Sequence, residues 1–271
     1  MSSLHTSWLN VAEQAARAGG EQLRHWRSKF KVSEKGRFDL VTDADHASQA
    51  AIREVILGQC PDHSFLGEET PADERAKLIQ TQTSLWVVDP LDGTTNYVHD
   101  LPCYAVSIGL VIDERVQVGV IYDPVRDEMF SAAKGHGATV NGQAIRCSPA
   151  TSLKDALIAV GFPANLRGQE HVIEAWKQFG YESQGLRRTG SSAINLAYLA
   201  AGRLDAFFAY QICPWDIAAG IILVEEAGGA ISQANGQDYH PLSETVFVAS
   251  NGHLHPTVLK TLSSISPEAS R

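Results

Sequence analysis

The sequence predicts a mixed α+β protein in two halves, with helices and sheets stacked in layers. Three observations lead there. Segments of β character dominate residues 84–145, while strands and helices alternate after residue 155. Between them SPATS, residues 148–152, reads as a linker. The chain's 271 residues are enough to bury roughly three quarters of the unfolded surface and to divide into two subdomains. The expected units are residues 1–147, an α+β part, and residues 148–271, an α/β part.

In order along the chain, Trp8, Val11, Ala12, Ala15, Leu23 and Trp26 recur at helical spacing, with Ser7 as the expected N-cap. Gly19-Gly20 argues against an unbroken helix there. KVSEKGRFD is expected to be a polar loop, and a second helix to run from near Asp43 to Leu57. PDHSFLGEE gives a turn and a short strand, and LWVVD the next strand. AVSIGLVI and RVQVGVIYD follow as strands joined at Asp113-Glu114, and EMFSAAKGHGATVNGQAI continues the pattern with a turn at Asn141-Gly142. Beyond the linker DALIAVGF, DAFFAYQI and TVFVAS read as strands, and HVIEAWKQFG, SSAINLAYLAAG and DIAAGIILVEEAGG as helices. His253-Leu254-His255 reads as a surface loop, having no Cys or acidic neighbours to make it a metal site.

Composition narrows the function. At 44% hydrophobic and 20% charged residues the chain is an ordinary globular one. No apolar run approaches the roughly 18 residues of a membrane helix, and the N-terminus lacks a basic leader with an apolar core, so a cytoplasmic protein is expected. Cys60, Cys103, Cys147 and Cys213 form no C-x-x-C pair and read as reduced core thiols. The net charge of −9 disfavours direct nucleic-acid contact, which relies on Lys and Arg at the phosphates. An anionic substrate would have to be attracted by bound cations instead.

Acids at the ends of elements suggest where those cations sit. In WVVDPLDGTTNY a strand is expected to end at Asp89, where Pro90 blocks further pairing and Leu91 turns its carbonyl away from the ladder. Asp92 would then cap a short helix whose first N–H groups, at Gly93, Thr94 and Thr95, are open to an anion. Two carboxylates in one tight turn repel each other, so one takes up a proton unless a cation lies between them. Carboxylates, a carbonyl and a hydroxyl are hard oxygen ligands that suit magnesium rather than zinc. Taken alone, the stretch could equally be a capped helix beside a solvated strand end. Glu68 and Glu69 follow another strand, and Asp45 and Asp216 each open a helix. Capping would account for the last two, but not for paired Glu68-Glu69 or the DPLDGT spacing.

These blocks resemble those of a known family. WVVDPLDGTTNYVH and PWDIAAGIILVEEAGG are similar to the two signatures of the inositol monophosphatase family, and GEE at 67–69 and DLVTDAD at 39–45 resemble two further blocks. The resemblance runs in the same order along nearly the whole chain. It implies the layered α-β-α-β-α sandwich shared with fructose-1,6-bisphosphatases, and a magnesium-dependent, lithium-sensitive phosphatase with two or three Mg2+ per site. By the same resemblance Glu68, Asp89, the Leu91 carbonyl, Asp92 and Asp216 would ligate metal. Thr94, paired with Asp45, would orient or deprotonate the attacking water, assisted by Glu68. Asp92, Gly93, Thr94 and Ser192 would contact phosphate or substrate, and Lys35 would lie in a mobile loop closing on the site. A homodimer is expected, with no membrane partner.

Substrate choice departs from the pattern. In the inositol-cleaving members a Glu stands seven residues before the W-D aspartate, and here that position is Ala209. Losing an acceptor weakens recognition of a polyol hydroxyl. Tyr210 could replace it but is better read as packing, and Ser191 and Ser192 would lie near the alcohol. Arg187 and Arg188 would bind an anionic group or stay solvated, and Trp215 would wall the site. The expected substrate is inositol 1-phosphate or a similar polyol phosphate. Histidinol phosphate, fructose 1,6-bisphosphate and a 3′-phosphonucleotide are alternatives, and a protein-binding role in RNA metabolism is the non-enzymatic one.

Overall fold

The structure is a computed structural model that describes residues 2–36, 39–81, 83–163, 165–243 and 245–265. Helix α1 (Ser2–Trp26) leads through the hairpin of β1 (Val32–Gly36) and β2 (Asp39–Thr42) into α2 (Asp43–Gln59). Then come β3 (Ser64–Gly67), α3 (Ala72–Thr81), β4 (Ser84–Asp92) and the short α4 (Thr94–Val98). A meander follows of β5 (Ala105–Ile112), β6 (Arg115–Asp123), β7 (Glu128–Ala133), β8 (Ala138–Val140) and β9 (Gln143–Ile145). The remainder runs β10 (Leu157–Gly161), α5 (Glu170–Glu182), β11 (Gly185–Arg187), α6 (Ser192–Ala200), β12 (Ala206–Ala209) and α7 (Pro214–Glu226). It closes with β13 (Ala230–Gln233), β14 (Phe247–Ser250) and α8 (His255–Ile265).

Two sheets result. Strands β3 to β9 form a seven-stranded sheet in sequence order, and the second sheet is β11-β10-β12-β14-β13. Side-chain alternation along the strands builds the layers. On β6, Val118, Val120 and Tyr122 pack under α1 and α2, whereas Ile121 faces α6 and α7. On β12, Phe207 and Ala209 face the same two helices, and Phe208 turns outward to α5 and α8. The order is therefore helix, sheet, helix, sheet, helix, the five layers expected. Helix α7 lies between the sheets and is buried all round from Ile217 to Val224, which is why its sequence is apolar on every face. It approaches the first sheet closely: a Cβ on Gly119 would stand 2.4 Å from the Ala219 carbonyl.

Several local expectations are corrected. Helix α1 begins at Ser2, so Ser7 lies within it rather than at its cap. The Gly19-Gly20 pair does not interrupt it. A Cβ at Gly19 would come within 2.7 Å of Ile52 on α2, and one at Gly20 within 2.5 Å of Tyr122 on β6. The glycines thus permit close packing at a helix-propensity cost of about 1 kcal/mol each. KVSEKGRFD contains β1 and the start of β2 rather than a plain loop, since Val32 to Gly36 pair antiparallel with Asp39 to Thr42. His255 opens α8, where Ser232 and Ser250 hydroxyls meet its ring at 2.8 and 3.0 Å, so it is no surface-loop residue. The four cysteines are free and half-buried. No helix among the described residues is long and apolar enough to cross a membrane.

Candidate active site

Strand β4 does not stop at Asp89. Its pairing with β5 passes from Asp89 opposite Ser107 to Asp92 opposite Ala105, with an irregularity across Pro90 and Leu91. Pro90 therefore sits at a bulge, where its missing N–H is tolerated. The bulge is pinned from α2, whose buried Ser48 donates to the Pro90 carbonyl at 2.9 Å. Asp89 is buried and its Oδ1 accepts from the Leu91 N–H at 2.9 Å, closing a tight turn. The Leu91 carbonyl accepts from Thr94 Oγ1 at 3.1 Å.

Asp92 does not cap the helix that follows it. Gly93 is the N-cap of α4, in the left-handed region at φ 98°, and no side chain caps that helix. Only glycine fits, because a Cβ there would lie 3.0 Å from the Cys103 carbonyl as well as straining φ. Asp92 instead reaches across to α6. Its Oδ2 accepts from the Ser191 hydroxyl at 2.5 Å and from the Ala193 N–H at 2.6 Å. Ser191, buried, is also the N-cap of α6, accepting from Ile194 N–H at 3.1 Å. It supports Asp92 rather than meeting an alcohol. Ser192, in the first turn of α6, is partly exposed.

Asp216 arrives from the second half. It lies in the first turn of α7, and its Oδ2 accepts from the Cys213 N–H at 3.1 Å. Ser107, paired with Asp89 in register, donates to the Trp215 carbonyl at 3.1 Å and so joins the start of α7 to β5 beside Asp89. One carboxylate oxygen each of Asp89, Asp92 and Asp216 lie within 4.8 Å of one another. Asp45, Glu68 and Glu69 form a second such group within 4.8 Å. Glu68 also contributes to raising the pKa of Asp89 and Asp216 through its charge, so the two groups adjoin. Asp45 is buried at the start of α2, its Oδ2 held by the Thr42 N–H and hydroxyl at 2.8 and 2.6 Å. Its Oδ1 stands 3.2 Å from the Thr94 hydroxyl, the pairing expected.

The electrostatics match the crowding. Burial, with the charges of Glu68, Asp92 and Asp216, holds the Asp89 carboxyl well above the usual range. Burial, with the charges of Asp92 and Glu68, does the same to Asp216. Burial lifts Asp92 to about 6, and its bonds to Ser191, Ala193 and Ser192 pull it back. Among the described residues none of these three forms an ion pair. Crowded carboxylates with no cationic side chain are relieved by a proton or by a divalent cation, and their hard oxygens fit magnesium.

The remaining expected positions divide. Lys35 lies on β1, but its side chain is outside the described ones. Ala209 is buried at the end of β12, and Tyr210 is buried and meets the His171 ring edge-on at 5.1 Å between centroids, which is packing. Arg187 is exposed, and Arg188 lies over Phe162 at 5.0 Å. Trp215 is buried beneath Arg75. Sequence reasoning missed Ser48 and Ser107 and gave Ser191 a different part, since their partners are remote along the chain.

Residues 5–266 match the sequence model of the inositol monophosphatase family. An inositol-1-monophosphatase of Synechocystis sp. is 40% identical over 264 residues, covering 95% of this chain and 89% of that one. The Nus factor SuhB of Escherichia coli K12 is 41% identical over 259 residues, covering 94% and 93%. Among solved structures, the extragenic suppressor protein suhB of Bartonella henselae superposes with a TM-score of 0.87 at 35% identity, covering 94% of this chain and 98% of that one. An IMPase/NADP phosphatase complexed with Mg2+ and phosphate does so at 0.79 and 25% identity, covering 96% and 94%. From the matched span and the identity along it, the chain belongs to the inositol monophosphatase family and is a phosphoric monoester hydrolase.

Proposed function

We propose that the protein is a magnesium-dependent phosphomonoesterase acting on a small phosphorylated polyol, inositol 1-phosphate first among them. The observation that carries this reading is the convergence of Asp89, Asp92 and Asp216 within 4.8 Å, without an ion pair among the described residues. Glu68, Asp89, Asp92, Asp216 and the Leu91 carbonyl hold the magnesium, two or three ions in all. When bound, the metal lowers the pKa of water towards neutrality and neutralises charge on the phosphate and the leaving oxygen.

The chain's own part is positioning and proton handling. Thr94 Oγ1 stands 3.1 Å from the Leu91 carbonyl and 3.2 Å from Asp45 Oδ1, so its proton is directed to one of these acceptors at a time. A lone pair is left to accept from the attacking water, and Asp45, locked by Thr42, draws the proton onward. Glu68 assists in activating that water. The Gly93 and Thr94 N–H groups, at the start of α4, contact the phosphate, and Ser192 contacts the substrate.

Ala209 sits on the inner face of β12, where a methyl offers no acceptor to a polyol. Selectivity among polyol esters is therefore relaxed, and histidinol phosphate, fructose 1,6-bisphosphate and a 3′-phosphonucleotide belong in the test panel. Phosphate release is measured for each ester with and without magnesium. Turnover on at least one ester, dependent on magnesium and abolished with metal binding in Asp89→Asn, is expected. A folded, magnesium-binding protein that turns over none of them overturns the reading.

Lithium sensitivity, a cytoplasmic location and a homodimeric state accompany this reading, and lithium inhibition, fractionation and light scattering check them. The 41% identity to a Nus factor supports a second role as a protein partner in RNA metabolism. If Asp89→Asn removed turnover but left binding to its protein partner intact, the two roles would be separable.

A further inference from the structure

We infer that Arg75 is a positioning residue for the metal cluster, fastening the turn that carries Glu68 and Glu69 to the end of α7 that carries Asp216. The inference rests on the magnesium site proposed above. Arg75 stands in the first turns of α3, directly after the β3–α3 turn. Its Nη2 donates to the carbonyls of Glu68 and Thr70 at 3.1 and 3.2 Å, so one nitrogen gathers both sides of that turn. Its guanidinium carbon lies 4.4 Å from the centroid of the Trp215 ring, a cation–π contact with the residue immediately before Asp216. Trp215 is itself buried, and its carbonyl is held by Ser107 on β5.

One side chain thus bridges elements about 150 residues apart in sequence that contribute acids to adjoining groups (Glu68 from the first half, Asp216 from the second). Its polar contacts are to backbone carbonyls, so it acts on where the acids are placed. The buried Nε has no hydrogen-bond partner among the described residues. Nε therefore plays no part in setting this orientation; the ring and the two carbonyls that accept from Nη2 do. A guanidinium can meet the indole with its delocalised charge and still present an N–H edge to two carbonyls. A lysine keeps the charge and loses the geometry.

The test uses the full-length protein and magnesium alone as probe. Isothermal titration with MgCl2, without substrate, is run on wild type, Arg75→Lys, Arg75→Ala and Asp89→Asn, with thermal unfolding of each in EDTA. Arg75→Lys is expected to weaken magnesium binding about tenfold or more, as loss of residues supporting metal ligands does, while its unfolding temperature in EDTA stays near wild type. Millimolar guanidinium is expected to restore affinity to Arg75→Ala, and methylammonium is not. Wild-type magnesium affinity in Arg75→Lys overturns the inference, as does a loss that follows the unfolding temperature and resists guanidinium. If Asp89→Asn also binds magnesium normally, the site assignment itself has failed. If Asp89→Asn loses magnesium and Arg75→Lys does not, only the role of Arg75 has failed.

Discussion

Replacing Ser191 by alanine removes one oxygen with two duties. It caps α6 through the Ile194 N–H and donates to Asp92 Oδ2. Loss of an N-cap costs about 1 kcal/mol, and loss of a hydrogen bond to a charged acceptor about 1.5–3 kcal/mol. Because the Ala193 N–H continues to hold Asp92, the lower part of that range applies, and a total near 2–3 kcal/mol is expected. For a chain of this size that is roughly 5–10 °C in unfolding temperature. Urea unfolding in EDTA at pH 8 measures it.

The pH dependence has a definite sign. Burial pushes the Asp92 carboxyl up to about 6 in the fold, above its ordinary value of 3.8. A carboxyl raised on folding destabilises the fold as pH rises through this window, and losing the Ser191 bond raises it further. The deficit of the variant is therefore larger at pH 8 than at pH 5, where Asp92 is largely protonated. A deficit under about 0.5 kcal/mol, or one equal at the two pH values, would refute the bond between Ser191 and Asp92. Ser192→Ala, one residue on, should leave stability nearly unchanged and raise KM instead.

Gly20→Ala gains helix propensity of about 1 kcal/mol, yet places a Cβ 2.5 Å from the Tyr122 ring; the net effect is expected to be destabilising, and calorimetry showing stabilisation would refute the close packing of α1 on β6. Burial lowers the pKa of His255, so the neutral ring is favoured in the fold. Its contribution is full above pH ~6.5 and declines as pH falls below that value, a slope that His255→Asn should flatten in denaturant unfolding between pH 7.5 and 5. Ala209→Glu is expected to raise kcat/KM for inositol 1-phosphate relative to the other esters by about tenfold or more, and unaltered ratios would refute the role given to Ala209.

What the sequence disclosed followed the range of each interaction. The β5–β6 hairpin is legible to the residue, because Asp113 and Glu114 (φ 49° and 62°) provide the paired left-handed turn that two alternating apolar runs require. The acids were legible as a set because each stands at an element's end, where local spacing gives it away. The partner of Asp92 was not. Ser191 lies 99 positions later, and nothing in DPLDGT distinguishes a carboxylate that caps its own helix from one that meets another. Helix α8 escaped notice because HLHP, which runs into its start at His255, carries polar signals suited to a loop, while the strand residues that meet His255 are 5 and 23 positions away. The glycines of α1 misled for the same reason. Their cost is local and visible, whereas Ile52 and Tyr122, which require them, are distant.

The place of α7 between the two sheets has a consequence for how the protein is made. Asp216 leaves the ribosome 124 residues after Asp92, roughly 6–25 s later at common elongation rates. During that interval the nascent chain has Asp45, Glu68, Asp89 and Asp92 but lacks the last acid and the helix that covers the inner face of β4 to β7. The proposed magnesium site is incomplete over that interval, and the apolar inner face of the first half is bare while translation continues. Chaperone contact with the unfinished chain should therefore peak before α7 emerges, and the complete set of proposed magnesium ligands should mark a chain that has been synthesised past it.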